Sequence, residues 1–313
     1  MKYCLFVLIP AALCAQSSTV TINVDINGHR VESAPSVTTT EGDKTILNQS
    51  INGRLVPKEQ TETRVLSETP TEKVTETFDR KFDQTGQLTL TERTLTTEQK
   101  RTDGGTSTNA SVYRSDINGG MPEVERRQIE THPQGPGSTE SDVTIARPSD
   151  NGGLQNVEQR KILTTTGPNS THEDQTVYLK STNGDFVARR RTVTDSQKSN
   201  DKTEASVANY ETDYLGHMAL LSSENTTTVV SKDGKQEIER NLYASASDGV
   251  ARDDQGGQKI KEQQIIVRTP GPDGTVTETV SVRRPTLAEQ THLGPPVQIS
   301  ETVCTGKCDP GKP

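Results

Sequence analysis

Aromatic and other apolar side chains are scarce in this sequence. It contains no tryptophan, four phenylalanines and six tyrosines, and hydrophobic residues make up 28% of its 313 positions. So few apolar side chains bury too little surface to offset the conformational entropy of a compact core. The composition therefore argues against a globular enzyme and leaves two interpretations, disorder or a thin repetitive sheet.

Cysteine is equally scarce, with four copies in the whole chain. Cys4 and Cys14 fall in the N-terminal segment, and Cys304 and Cys308 lie near the C-terminus. In an exported chain we expect Cys304 and Cys308 to form a disulfide, which would stabilise only a local turn because its loop is short. No histidine or second cysteine pair completes a zinc-type ligand set, so the sequence predicts no metal site and no cofactor.

Long apolar runs and a basic surface are also missing. No run approaches the roughly 20 residues of a membrane helix, so we expect no transmembrane segment in the mature chain. The formal charge is −8, with acidic and basic residues interspersed. The electrostatic footprint of nucleic-acid binding is therefore absent, and we expect no nucleic-acid partner.

The first residues read as an export signal. Lys2 precedes a short apolar stretch over 3–12, and Ala15 supplies a small residue for cleavage. The alternative is a lipoprotein signal acylated at Cys14, which the bulky Leu13 disfavours. We therefore expect a secreted or cell-envelope protein, in the periplasm or on the outer surface, after cleavage near Ala15.

A glycine recurs every 32 or 33 residues, usually with an apolar residue two positions later. The series is Gly53, Gly86, Gly119, Gly152, Gly184, Gly216 and Gly249. Such a period indicates one structural unit copied many times. Asn-Gly and Asp-Gly pairs in the series favour tight hairpin turns, and further Gly, Pro and Asn turns fall about midway between them. Each unit then holds two strands of roughly 12 residues.

These features predict an all-β fold, an elongated antiparallel β-hairpin repeat of about 33 residues per unit. The sheet would be a single-layer or rolled meander forming a rod roughly 65 Å long, and a β-solenoid is the alternative. The predicted divisions are a signal peptide (1–15), an N-terminal hairpin with a polar Thr-rich linker (16–45), the hairpin repeat domain (46–285) and a Pro-rich C-terminal tail holding the two cysteines (286–313).

Two further positions of the repeat hold the same type of functional side chain in several units. Six residues before the glycine stand Tyr113, Tyr178, Tyr210 and Tyr243, a row that could stack on sugar rings or only shield the sheet. Six residues after it stand Glu59, Glu92, Glu125 and Glu158, usually followed by arginine. Opposite charges on neighbouring strands would form a ladder that fixes the strand register.

No catalytic motif accompanies the repeats, so we expect a chain that is not an enzyme. The predicted function is an exported structural or interaction component of the cell envelope or extracellular matrix. The alternative is a binding module for polysaccharide or another surface polymer, with the four tyrosines as its platform. Expected partners are surface polysaccharide or envelope proteins, with self-association through open sheet edges as a further outcome.

Overall fold

A single antiparallel sheet of 19 strands accounts for nearly all of the regular structure. A computed structural model of the chain describes residues 15–24, 29–83, 85–213, 215–245, 258–286, 293–306 and 308. Within these ranges the one helical segment is a 3₁₀ turn, Pro272–Gly274, and no helix is long and apolar enough to cross a membrane.

The strands follow one another around the sheet in chain order. They are β1 (Ala15–Val24), β2 (Arg30–Glu32), β3 (Ser36–Glu41), β4 (Lys44–Ile51), β5 (Arg54–Glu68), β6 (Glu72–Phe82), β7 (Leu88–Lys100), β8 (Thr106–Arg114), β9 (Glu123–Gly135), β10 (Ser138–Pro148), β11 (Leu154–Thr166), β12 (Ser170–Lys180), β13 (Phe186–Ser199), β14 (Lys202–Thr212), β15 (Met218–Val230), β16 (Gln236–Ala244), β17 (Lys259–Pro270), β18 (Val276–Arg283) and β19 (Val297–Gly306).

The repeated glycines form the turns at one rim of the sheet, which we call the first rim. Gly86 adopts φ +82°, and its N–H donates to the Asp83 carbonyl at 3.1 Å. The Asp83 carboxylate accepts hydrogen bonds from the Thr85 hydroxyl and the Gln87 N–H, and these bonds lower its pKa. The same five-residue turn closes the hairpins at 116–120, 149–153, 181–185 and 213–217. Gly249 lies outside the described residues.

A β-bulge follows each first-rim turn, five residues after the repeat glycine. In the hairpin of β6 and β7, Asp79 opposes Glu92 and Arg80 opposes Leu90, so Thr91 is the extra residue. The equivalent extra residues of the other described repeat turns are Lys58, Val124, Val157, Arg189 and Leu221. Bulges bend and twist a strand locally, so this repeated bulge curves the sheet in the same direction at every unit.

The curved sheet closes on itself. β1 pairs with β19 along Ser17–Asn23 and, on its other side, with β3 and the short β2. Because β2 and β3 share one place beside β1, the closed ring has 18 strands. The antiparallel meander is confirmed, but the open elongated ribbon and the solenoid are both wrong. Closure also removes the open sheet edges through which self-association was expected.

Segments near both ends of the chain form strands of the closed sheet. The segment expected to be a polar linker contains β3, and the segment expected to be a tail contains β19. Neither segment has the period of the repeats, so neither is predicted as part of the sheet. β3 pairs with its near neighbours β1 and β4, whereas β19 pairs with β1 almost 290 residues away in sequence. Residues 1–14, which hold most of the predicted signal peptide, lie outside the described residues.

Burial is slight throughout this single-layer wall. Of the described residues, 12 are buried, namely Gly105 and 11 residues with side chains, and none is a fully buried large side chain. The best-buried apolar residues include Ile145 and Val282, each 4% exposed. Stability must therefore come mainly from the backbone ladder and cross-strand pairs, as the sparse apolar composition requires.

Candidate functional site

Every strand residue belongs to one of two faces of the wall, because cross-strand partners point the same way. The face that carries Tyr113 and its partner Arg93 also carries Tyr178, Tyr210 and Tyr243, and we call it the tyrosine face. The opposite face, which carries Thr94 and its partner Val112, is rich in threonine, and we call it the threonine face.

Chain handedness assigns the threonine face to the lumen. The barrel is viewed from outside with the first rim uppermost. Residues paired across the ladder from β1 through β19 to β18 then lie progressively further below this rim. In a barrel with right-handed strand coiling, this trend means that β19 lies to the right of β1. The Thr21 carbonyl accepts from Ser33 N–H on the other side, at 2.7 Å. β1 runs upward in this view, and the carbonyl of Thr21 points to the left. For an L-residue in that orientation the side chain points into the barrel. Thr21 lies on the threonine face.

Burial agrees with this assignment. Side chains on the concave side of a closed sheet converge and shield one another. Seven of the 11 buried side chains lie on the threonine face, namely Val112, Val143, Ile145, Val276, Val282, Thr302 and Cys304. The lumen wall is therefore a mixture of threonine and small aliphatic side chains. Charged pairs lie on it both near the first rim and nearer the opposite rim, where Arg268 pairs with Glu278.

The charges nearest the first rim form a band of arginine–glutamate pairs on the threonine face, just inside the bulges. We call this band the collar; it consists of Glu92, Arg114, Glu125, Arg127, Arg147, Glu158, Arg160, Glu262 and Arg284. Nε of Arg114 donates to Glu92 at 2.9 Å. Nε of Arg147 donates to Glu125 at the same distance, and Nε of Arg160 donates to Glu158 at 2.6 Å.

The collar partly matches the ladder expected from the sequence. Glu92, Glu125 and Glu158 were singled out, and Glu59 pairs with Lys81 at 3.5 Å on the same face. The missed partners are Arg114 and Arg147, which lie on the next strand. Each stands five residues before its repeat glycine, the position that Lys81 occupies in the preceding unit. The arginines that directly follow Glu92 and Glu125 in sequence project from the tyrosine face instead, because neighbouring residues alternate.

The four predicted tyrosines do form a row on alternate strands, each beside a first-rim bulge. All four are partly buried. The Arg93 guanidinium lies 5.4 Å from the Tyr113 ring centre, and Arg191 lies 5.8 Å from that of Tyr210. These arginines also pair with acids, Arg93 with Glu76 at 2.6 Å and Arg191 with Asp174 at 2.6 Å. The rings therefore pack against paired guanidinium groups.

The outward tyrosine face is strongly polar. Even its best-buried acids, Glu62 and Glu76, are 4% and 8% exposed because arginines cover them. A lipid-facing barrel carries an apolar outward band about 25 Å tall between aromatic girdles. The tyrosine face interrupts any such band with ion pairs.

The predicted disulfide joins Cys304 and Cys308, with an S–S distance of 2.10 Å. Cys304 lies on β19 opposite Thr19, at the seam where the barrel closes. Across the part of the chain that the structure describes, no three His, Cys, Asp or Glu side chains are grouped as a metal site.

Comparison with solved structures identifies the fold. No family model and no curated protein matches the sequence. Among solved structures, Salmonella typhi OmpF in complex with daunomycin aligns with a TM-score of 0.52 at 7% identity, over 93% of this chain and 97% of that one. The barrel has a porin fold. A Rh. blastica porin mutant (0.50, 7%, 93% and 97%) and Pseudomonas aeruginosa OpdL (0.50, 8%, 94% and 98%) are similar to the same extent.

The porin fold overturns several expectations. Two functions were predicted for an elongated hairpin repeat, a structural or interaction component of the envelope or matrix and a polysaccharide-binding module with a tyrosine platform. Both are wrong, because the sheet closes into a porin-like barrel. The expected absence of a transmembrane segment is wrong too, because it rested on a search for helix-length apolar runs. Fifteen of the 19 strands have 9 to 15 residues, which is long enough to span a bilayer in a closed barrel.

Proposed function

We propose that this chain is a porin-like, non-enzymatic channel of an outer membrane, through which small polar solutes pass. Closure of 18 antiparallel strands into one ring is the observation that carries the proposal. Barrels of 16 to 18 strands are wide enough to enclose an aqueous channel. The predicted export signal is consistent with this location.

The lumen supports passage of polar solutes. Threonine hydroxyls and the collar offer hydrogen bonds that can replace part of a solute's hydration shell. Thr94, Thr96 and Thr108 lie on the same face between the collar and the opposite rim. Charges recur nearer the opposite rim, where Arg268 pairs with Glu278 at 2.6 Å on the same face. A solute would therefore pass the charged collar, a stretch rich in threonine and then further charged groups.

The polar outward face sets how the barrel is held in the membrane. Each arginine or lysine placed against lipid chains at the bilayer midplane costs about 2–4 kcal/mol. Pairs such as Arg93–Glu76 and Arg191–Asp174 reduce that cost by neutralising charge, and neighbouring protein would reduce it further. We expect the barrel to be extracted from membranes more easily than an apolar-faced porin.

Conductance across a planar bilayer tests the channel. The purified full-length protein should give discrete conductance steps, and proteoliposomes that contain it should swell in small sugars. The matched control is a chain that ends after Thr286, which lacks β19 and cannot close. Full-length protein that stays in the aqueous phase and never conducts would overturn the proposal.

A further inference from the structure

The collar contains a sector in which arginines outnumber acids. Arg114 on β8, Arg127 on β9 and Arg147 on β10 surround Glu92 and Glu125, and we call these five residues the arginine sector. Arg127 and Arg147 both bond Glu125, so one carboxylate holds two guanidinium groups. The next acid towards β6, Asp79, is bonded by the Thr61 hydroxyl at 2.6 Å.

The guanidinium groups project further from the wall than the acids that hold them. The side chains of Arg114, Arg127 and Arg147 are 64%, 53% and 50% exposed, whereas those of Glu92 and Glu125 are 30% and 14% exposed. A solute at this level of the lumen therefore meets the arginine ends before it meets the carboxylates.

The hydrogen-bond geometry leaves the arginine ends available. Each of the three arginines uses Nε to bond its glutamate. No described residue accepts a hydrogen bond from their terminal Nη atoms. Glutamate thus fixes each guanidinium at its inner edge while the outer Nη groups keep their donors, the arrangement that recognises planar or tetrahedral oxyanions.

We propose that the arginine sector binds small polyatomic anions of the phosphate, sulfate and carboxylate class inside the lumen, an inference that rests on the proposed channel. Arg114 and Arg147 are two strands apart, and Arg147 is level with Val112, two residues before Arg114. Their backbones are therefore roughly 12 Å apart, a gap that two inward arginine side chains can reduce enough for one anion to bridge their Nη groups. The wider band of charges also includes acids, such as Glu211 and Glu224. Attraction therefore comes from local donors rather than from net charge, and it is short-ranged at physiological salt.

Equilibrium dialysis of inorganic phosphate against the purified full chain tests the site without a membrane. Arg114→Gln combined with Arg147→Gln should weaken phosphate binding at least tenfold. The matched control is Arg93→Gln combined with Arg126→Gln; these arginines each follow a collar glutamate in sequence but project from the tyrosine face. The control should bind like the wild type.

Equal binding by both double variants, or no binding by the wild type, overturns the anion site. A further double variant, Arg114→Lys with Arg147→Lys, keeps the charge and addresses loss of folding; it should bind between the two extremes. Phosphate binding without conductance would sustain the site and overturn the channel. Conductance that phosphate leaves unchanged, together with no phosphate binding in dialysis, would sustain the channel and overturn the anion site.

Discussion

At the scale of single residues, backbone conformation explains why glycine recurs. The repeat glycines that the structure describes all have a left-handed φ, which is +82° at Gly152. An added Cβ at Gly152 would meet no atom within 4 Å, so the requirement there is conformational and not steric. In the described repeat turns the position three residues before the glycine is also restricted, to aspartate or serine, because its side chain bonds the turn backbone at Asp83, Asp116, Ser149 and Asp213.

Two adjacent glycines allow this explanation to be tested. Gly152→Ala should lower the free energy of unfolding by about 1–2 kcal/mol, because an L-residue is strained in the left-handed region. Gly153 has no left-handed φ and also has open space around its Cβ position. Gly153→Ala should therefore be neutral or stabilising by about 0.4–1 kcal/mol. Denaturant titration of both variants measures the difference, and equal losses would contradict it.

At the scale of elements, hairpins could be read from the sequence and curvature could not. The glycine period and strand alternation were sufficient to predict an antiparallel meander. The bulge was invisible, because Lys58, Thr91, Val124 and Arg189 share no side-chain property. It depends on one unpaired backbone residue at a fixed distance from the turn. The face of Glu92 depends on that bulge, so the expected ladder paired each glutamate with the arginine that follows it. The 33-residue spacing of Lys81, Arg114 and Arg147 is the sequence signal that identifies the actual partners.

Deletions separate the bulge from the rest of the strand. Removing Thr91 leaves Leu90 and Glu92 adjacent, opposite Arg80 and Asp79, so every other pair on β7 keeps its register. Removing Thr94 instead forces one side of the strand to slip and turns its side chains to the other face. We expect the Thr91 deletion to keep a cooperative thermal transition and the Thr94 deletion to lose it. Hydrogen exchange along β6 to β8 would locate the damage, and equal tolerance would refute the bulge assignment.

At the scale of the whole molecule, one seam decides the fold. The ladder between β1 and β19 joins Asn23 to Ser300 and converts a ribbon into a ring. Sequence patterns describe neighbours along the chain, and loop-closure contacts at such separation leave no local mark. The sequence predicts an N-terminal hairpin around β1 and a tail around β19, and neither pattern indicates that the two segments pair with each other.

A designed disulfide tests the seam. In a Cys304→Ser, Cys308→Ser background, Asn23→Cys with Ser300→Cys should oxidise to an intramolecular cross-link, seen by mass spectrometry of peptides. The control pairs Asn23→Cys with Thr164→Cys on β11, on the same face but far around the ring, and should stay reduced. Without cross-linking in the first pair, the two strands would not be neighbours and the barrel would be open.

The pairing of one turn with one bulge in every unit has a consequence for how such barrels can vary. A unit brings two strands and its own share of curvature, so gaining or losing a copy would change the circumference in steps of two strands while leaving the remaining registers intact. Barrel diameter grows roughly linearly with strand number. Duplication of a 33-residue segment would thus be a ready genetic route to wider or narrower relatives of this protein, each with its rim already built.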